Sequence, residues 1–202
     1  MSATATAAAS ALETVAVEHL PPGYAVHAVL FRDVQNAAFL QAQLVARNAA
    51  FEYALVDAST VVSRAHLLAA VHKAILAHVG GSLKTPNVHS ETVLSLSPSL
   101  NIAEAYRRFG VTADTKNVLV VKILLPNAST TADDIWLHLS SNVEGTAVPP
   151  SEAAIESGTD VHKVKKYFKL NSVPSLAGRT DSAEKRRELE VLTLGAMALR
   201  GL

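Results

Sequence analysis

Apolar positions along the chain switch between a period of two and a period near four, and the switches mark out its elements. Val26, Ala28 and Leu30 alternate with their neighbours across 24–31, after Pro21, Pro22 and Gly23 turn the chain from a weaker alternation at 13–20. That pattern predicts a hairpin or paired sheet edge. Phe39, Leu40 and Leu44 repeat at helical spacing within 34–47, with Asp33 placed to cap the helix. A strand over 53–56 leads through Asp57 and Ser59 into a long helix that stops at Gly80 and Gly81.

The stretch 84–110, KTPNVHSETVLSLSPSLNIAEAYRRFG, carries the densest pattern. Val93, Leu94 and Leu96 stand among Ser and Thr at strand-like spacing, so 89–97 reads as a strand that Pro98 ends, since proline has no amide hydrogen to donate. Asn101 followed three residues later by Glu104 is the pattern of a capping box, and it opens a short helix over 101–109. Tyr106 and Phe109 form its apolar stripe, Arg107 and Arg108 face away, and Gly110 is expected to close it with a positive φ.

VLVVKILL at 118–125 is almost continuously apolar between polar turns, which predicts a central strand buried on both faces, with Lys122 at an edge or rim. A short helix around 135–139, an extended VEGTAVPP segment, a basic amphipathic helix over 161–170 and a terminal helix over 183–199 complete the series. Strands and helices interleave without regular parallel crossovers. The predicted fold is α+β (mixed α/β), a single sheet covered by helices in one compact domain over 13–202, after a mobile N-terminal tail at 1–12.

Composition narrows the function classes. Hydrophobic residues make up 49% and charged residues 18% of 202, enough to bury a substantial core. Formal net charge is zero, so no global field draws the chain to nucleic acid or acidic lipid. Nine of the 18 basic residues nevertheless fall from Lys163 onward, a local basic surface opposed there by Asp181, Glu184, Glu188 and Glu190. Cysteine is absent, which removes disulfides, thiolate metal sites and thiol nucleophiles and fits an intracellular home. The opening MSATATAAASAL has neither the basic start of a secretory signal nor the arginines of a presequence. No membrane span is expected, because 61–79, the most apolar helix, is interrupted by Ser63, Arg64, His66, His72, Lys73 and His78.

No catalytic or metal constellation emerges. GGSLKT at 80–85 lacks the glycine that a phosphate loop places directly before its lysine, and it leaves a helix rather than entering one, so it reads as a glycine helix stop. His66, His72 and His78 recur every six residues, about 600° of helix rotation, so their imidazoles point in three directions and cannot share a metal. Asp133 and Asp134 are adjacent and diverge by about 100° on a helix, and no G-x-S-x-G elbow exists. Catalytic residues, cofactor and metal are therefore all expected to be none.

The terminal helix is apolar on two sides. Leu189, Leu192, Ala196 and Leu199 form one stripe and Val191, Leu194, Ala198 and Leu202 a second. Such a helix is either sandwiched inside its own domain or has one face on the core and the other offered to a partner. The pattern alone does not say which stripe is which.

The 84–110 stretch, LFRDVQNAAFL from Leu30, HKAI at His72, VLVVKI at Val118, VEG at Val143 and VKKYFKL at Val164 together resemble, in this order, the PRPK-binding protein family. The resemblance covers most of the chain from about residue 24 to the C-terminus. It implies a small, non-catalytic, kinase-docking subunit of the KEOPS (EKC) complex, which makes threonylcarbamoyladenosine in transfer RNA, in nucleus and cytoplasm. A telomere role is attached to some fungal members. In relatives this end of the molecule contributes to contact with the N-terminal lobe of the PRPK-type kinase, which places the contact at Leu192, Leu194, Met197 and Ala198, where Gly195 would let another backbone approach. Archaeal relatives are associated with the single-stranded CCA end of transfer RNA, which implies a second reading, an RNA-binding module with contacts at Lys73, Lys84, Arg107 and Arg108.

Overall fold

The structure, a computed structural model, describes residues 10–177 and 182–200. Among these, β1 (Glu13–Val15), β2 (Ala25–Arg32), β3 (Ala54–Asp57), β4 (Val118–Leu124) and β5 (Thr146–Val148) build one antiparallel sheet in the order β1-β2-β4-β3, with β5 pairing β2 beside β1. The expected hairpin is β1 with β2, in which Glu13 faces Ala28 and Val15 faces Val26. The 118–125 run is the central strand, with Val120 opposite Val29 on one side and Leu55 on the other. The fold is α+β, as the sequence predicts, and helices cover both sheet faces.

Strand alternation divides the core in two. Val26, Ala28, Leu30, Ala54, Val56, Leu119, Val121 and Ile123 point to one face. There they meet α2 (Arg64–Val79), α3 (Val88–Leu96), α4 (Ile102–Phe109), α6 (Glu152–Gly158), α7 (Val161–Tyr167) and α8 (Ala183–Ala198). Val29, Phe31, Leu55, Val118 and Val120 point the other way, to α1 (Ala37–Val45), α5 (Ala132–Asn142) and the turn Ala49–Phe51. The N-terminal segment falls largely outside the described residues, but Ala11 and Leu12 pack against this second cluster.

Four local expectations are corrected. The segment 89–97 is not a strand but α3, capped by Asn87, whose side chain accepts from the Ser90 amide at 2.8 Å. The alternation misled because α3 is enclosed by α2, α4 and the sheet, so Val88, His89 and every residue from Glu91 to Leu96 are buried and no polar face exists to set a period of 3.6. Two of the buried polar groups on α3 are satisfied locally: Thr92 donates to the Val88 carbonyl, and one Glu91 oxygen accepts from the Lys84 and Thr85 amides and the Thr85 hydroxyl.

At α4 the Asn101 cap is present, accepting from the Glu104 amide at 3.0 Å, but the reciprocal arm of the box is not, because the Glu104 carboxylate pairs with Arg108 at 2.6 Å. Gly110 has φ −74, not positive. What excludes a side chain there is space, since a Cβ would lie 2.7 Å from the Tyr106 carbonyl oxygen. Asp33 does not cap α1. It adopts φ 52, and the N-cap position is Asn36, whose side chain is spent on the Asn142 carbonyl and the Glu144 amide.

Elsewhere the expected punctuation holds. Gly81 takes φ 62 after α2, as a glycine helix stop requires. A full capping box joins Thr131 and Asp134 at the start of α5, so Asp134 is a structural group, held below its ordinary carboxylate range by the Thr131 hydroxyl and amide.

Candidate functional site

The end of α8 is where surface and sequence coincide. Ser182 caps the helix by accepting from the Lys185 amide, and Glu184 lies in its first turn, where a carboxylate favours the helix dipole. The buried line is Leu189, Thr193 and Met197, spaced at i, i+4 and i+8. It matches neither apolar stripe of the sequence. Thr193, fully enclosed, continues the core with its methyl group, and Leu192, Leu194 and Ala196 flank the line as half-buried shoulders packed against the first cluster.

On the opposite side run Val191, Gly195 and Ala198, with Leu199 just beyond the helix. Val191 is 59% exposed and Leu199 65%. A Cβ added at Gly195 would meet nothing within 4 Å. Of the residues placed at the kinase contact, Leu192 and Leu194 stand at the margins of this face and Ala198 on it, whereas Met197, 3% exposed, is core and is removed from the surface. Val191 and Leu199 are the large exposed apolar side chains at this end of α8. A helical wheel that admits Thr193 to the core recovers this face from the sequence; Leu202 lies outside the described residues.

Two cations fasten the helix at this end. The Lys73 ammonium, on α2, donates to the Met197 carbonyl at 2.9 Å. The Arg200 guanidinium donates to the carbonyls of Leu94 and Ser97 at the end of α3. These bonds place cations on carbonyls at helix C-termini, Leu94's in addition to the Ser97 amide that it already accepts. Burial lowers the pKa of each cation, and the charges of Arg200 and Lys84 lower Lys73 further. The seat is not fully paired: Ser95 Oγ, Thr193 Oγ1 and Arg200 Nε are buried without a hydrogen-bond partner.

The four residues of the RNA reading are differently employed. Lys73 is spent on α8, and Arg108 is spent on Glu104 and on the Tyr167 ring, 5.0 Å away. Lys84 and Arg107 are exposed. Of the basic residues of α7, Lys163 reaches Asp57 and the Ser59 hydroxyl, and Lys165 the Leu176 carbonyl.

His66 and His89 are internal struts. His66 is enclosed, accepts from the Val62 amide and faces the Leu96 carbonyl, and burial pushes its pKa down to about 4. His89 accepts from the Ile123 amide, where β4 has run beyond the end of β3, and burial pushes it down to about 3. His78 bonds the Tyr24 hydroxyl at 2.7 Å. Among the described residues no cluster of His, Asp or Glu could hold a metal, and no helix is long and apolar enough to cross a membrane. What the α8 end offers is a surface for contact.

Comparison with known proteins points the same way. The model of the family "Kinase binding protein CGI-121" matches residues 31–201. The EKC/KEOPS complex subunit CGI121 of Gibberella zeae is 53% identical over 196 residues, covering 95% of this chain and 100% of the relative. The corresponding subunit of Neurospora crassa is 46% identical over 206 residues, again covering 95% and 100%, and that of Schizosaccharomyces pombe 33% over 150 residues, covering 74% and 84%.

Proposed function

The chain belongs to the CGI-121 family of kinase binding proteins, and from that premise we propose that it is a non-catalytic subunit of an EKC/KEOPS complex. It docks the PRPK-type kinase/ATPase subunit through the outward face of α8 and tunes that subunit while another member of the complex transfers the threonylcarbamoyl group to transfer RNA. The site of action is the nucleus and cytoplasm.

One observation carries this reading: the outward line Val191, Gly195 and Ala198 is apolar and uncovered on a helix whose other side is fixed to the core. A helix offering an uncharged face with no side chain at its midpoint allows close approach of a second backbone, and burying that face against the kinase lobe supplies the association energy. Regulation follows only if the kinase conformation that fits this face is favoured, because a partner shifts an equilibrium by its differential affinity alone.

The test is co-purification of the full chain with its kinase subunit. Val191→Glu and Ala198→Glu are expected to abolish it while thermal melting stays within a few degrees of the parent, because both positions face solvent. Leu194→Glu is expected to abolish it at some cost in stability. Retention of the kinase by both Val191→Glu and Ala198→Glu would sink the proposal.

A further inference from the structure

A second apolar surface lies elsewhere on the molecule. A groove of about 730 Å³ runs between α1 with its following turn on one wall and the start of α3 with α4 on the other. Leu44, Leu55, Val93 and Val111 line its interior. Its lip is α1, AAFLQAQLV, a helix with no charged residue that buries only Ala37 and Leu40 and leaves Val45 78% and Phe39 41% exposed. An uncharged helix so little used by its own core is an unmatched face.

Charge and geometry select the occupant. Arg47 stands on one wall and Arg107 on the other, both solvent-facing and neither in an ion pair among the described residues, against the single carboxylate of Glu52. Backbone pairing is not what the groove offers, because the edge of β3 is already closed by the Val56–Gly110 bridge and by the Val111 amide donating to the Leu55 carbonyl at 3.0 Å. Base stacking is not offered either. Phe51 is buried edge-on against Phe39 and His138, Tyr53 is buried and stacked on His138 with the Lys122 ammonium 4.9 Å from its ring, and Tyr106, the third aromatic of the lining, is partly buried against the first core cluster. What remains is an aliphatic slot for inserted side chains, with one guanidinium on each wall for carboxylates.

We propose that this groove docks an amphipathic helix of a partner protein, inserting leucine-sized side chains spaced at i and i+3 or i+4, with carboxylates beside them reaching Arg47 and Arg107. The surface is distinct from the α8 face, so the chain carries two protein-binding faces and acts as a bridge.

The test measures fluorescence anisotropy of a labelled helical peptide of about 16 residues, with leucine at i, i+3, i+4 and i+7 flanked by glutamate, against a twin flanked by lysine. The full chain is expected to bind the glutamate peptide at least about tenfold more tightly than the lysine twin, with affinity falling as salt rises. Arg47→Glu combined with Arg107→Glu is expected to reverse that preference, and Val191→Glu to leave it unchanged. The proposal is overturned if the two peptides bind alike, if neither binds, if Val191→Glu removes binding and so assigns it to α8, or if a short single-stranded RNA displaces the peptide in an Arg107-dependent way.

Discussion

The Lys73 ammonium donates to the Met197 carbonyl at 2.9 Å, so a cation on α2 closes the last turn of α8. The family resemblance implies Lys73 as a charge available to RNA; the structure uses it to hold the end of α8 in place. Lys73→Met keeps the aliphatic stem and removes the donor. It is expected to cost about 1–2 kcal/mol, the scale for a charge-assisted bond to a helix C-terminus. Urea unfolding measures the loss, and an unchanged midpoint would show the bond to be idle.

Thr193 tests how the same helix is seated. Its hydroxyl is buried with no partner, on the line Leu189–Thr193–Met197. An orphaned hydroxyl costs its desolvation, so Thr193→Val, which keeps the shape and removes the oxygen, is expected to stabilise the fold by about 1 kcal/mol. Loss of stability instead would mean that the hydroxyl holds a buried water, and high-resolution crystallography of the parent would show it.

What the sequence made legible, and what it hid, follows from how each segment meets solvent. β4 was readable because a central strand in a covered sheet is apolar almost without interruption, Lys122 excepted, and Gly81 because a positive φ singles out glycine. α3 was hidden because its neighbours enclose it and remove the polar face that gives a helix its period. The outward face of α8 was half legible. The outward stripe through Val191, Leu194 and Ala198 was visible, but the inward one ran through a threonine, so Met197 was assigned to the wrong side. The α1 groove left no motif, since it is assembled from three separate segments of chain.

The buried histidines fix a pH dependence. His66 and His89 have folded pKa values of about 4 and about 3, lowered by burial, against an ordinary value of 6.5. Below about pH 6.5 the unfolded chain takes up protons that the folded chain refuses, so stability present at neutral pH is lost as pH falls towards 4. The loss is on the order of several kcal/mol for the pair. Unfolding free energies from urea titrations between pH 8 and pH 4 should fall steeply below 6.5, and a flat profile would mean that these imidazoles are hydrated.

Two glycines that look alike in the sequence should respond oppositely to alanine. At Gly110 a Cβ would sit 2.7 Å from the Tyr106 carbonyl oxygen, with no flexible side chain to yield, so Gly110→Ala is expected to cost about 1–3 kcal/mol. At Gly195, mid-helix with nothing within 4 Å of the added carbon, alanine relieves the entropy of an unconstrained backbone and should stabilise by up to about 1 kcal/mol. A residue that forgoes this gain while touching nothing of its own fold is explained if a partner's backbone comes close there. Gly195→Ala is therefore expected to raise the melting temperature yet weaken kinase binding, and Gly195→Leu to abolish binding while the chain stays folded. Calorimetry with the kinase subunit reads both quantities. Full affinity in Gly195→Leu would mean that the face of α8 is not where the kinase sits.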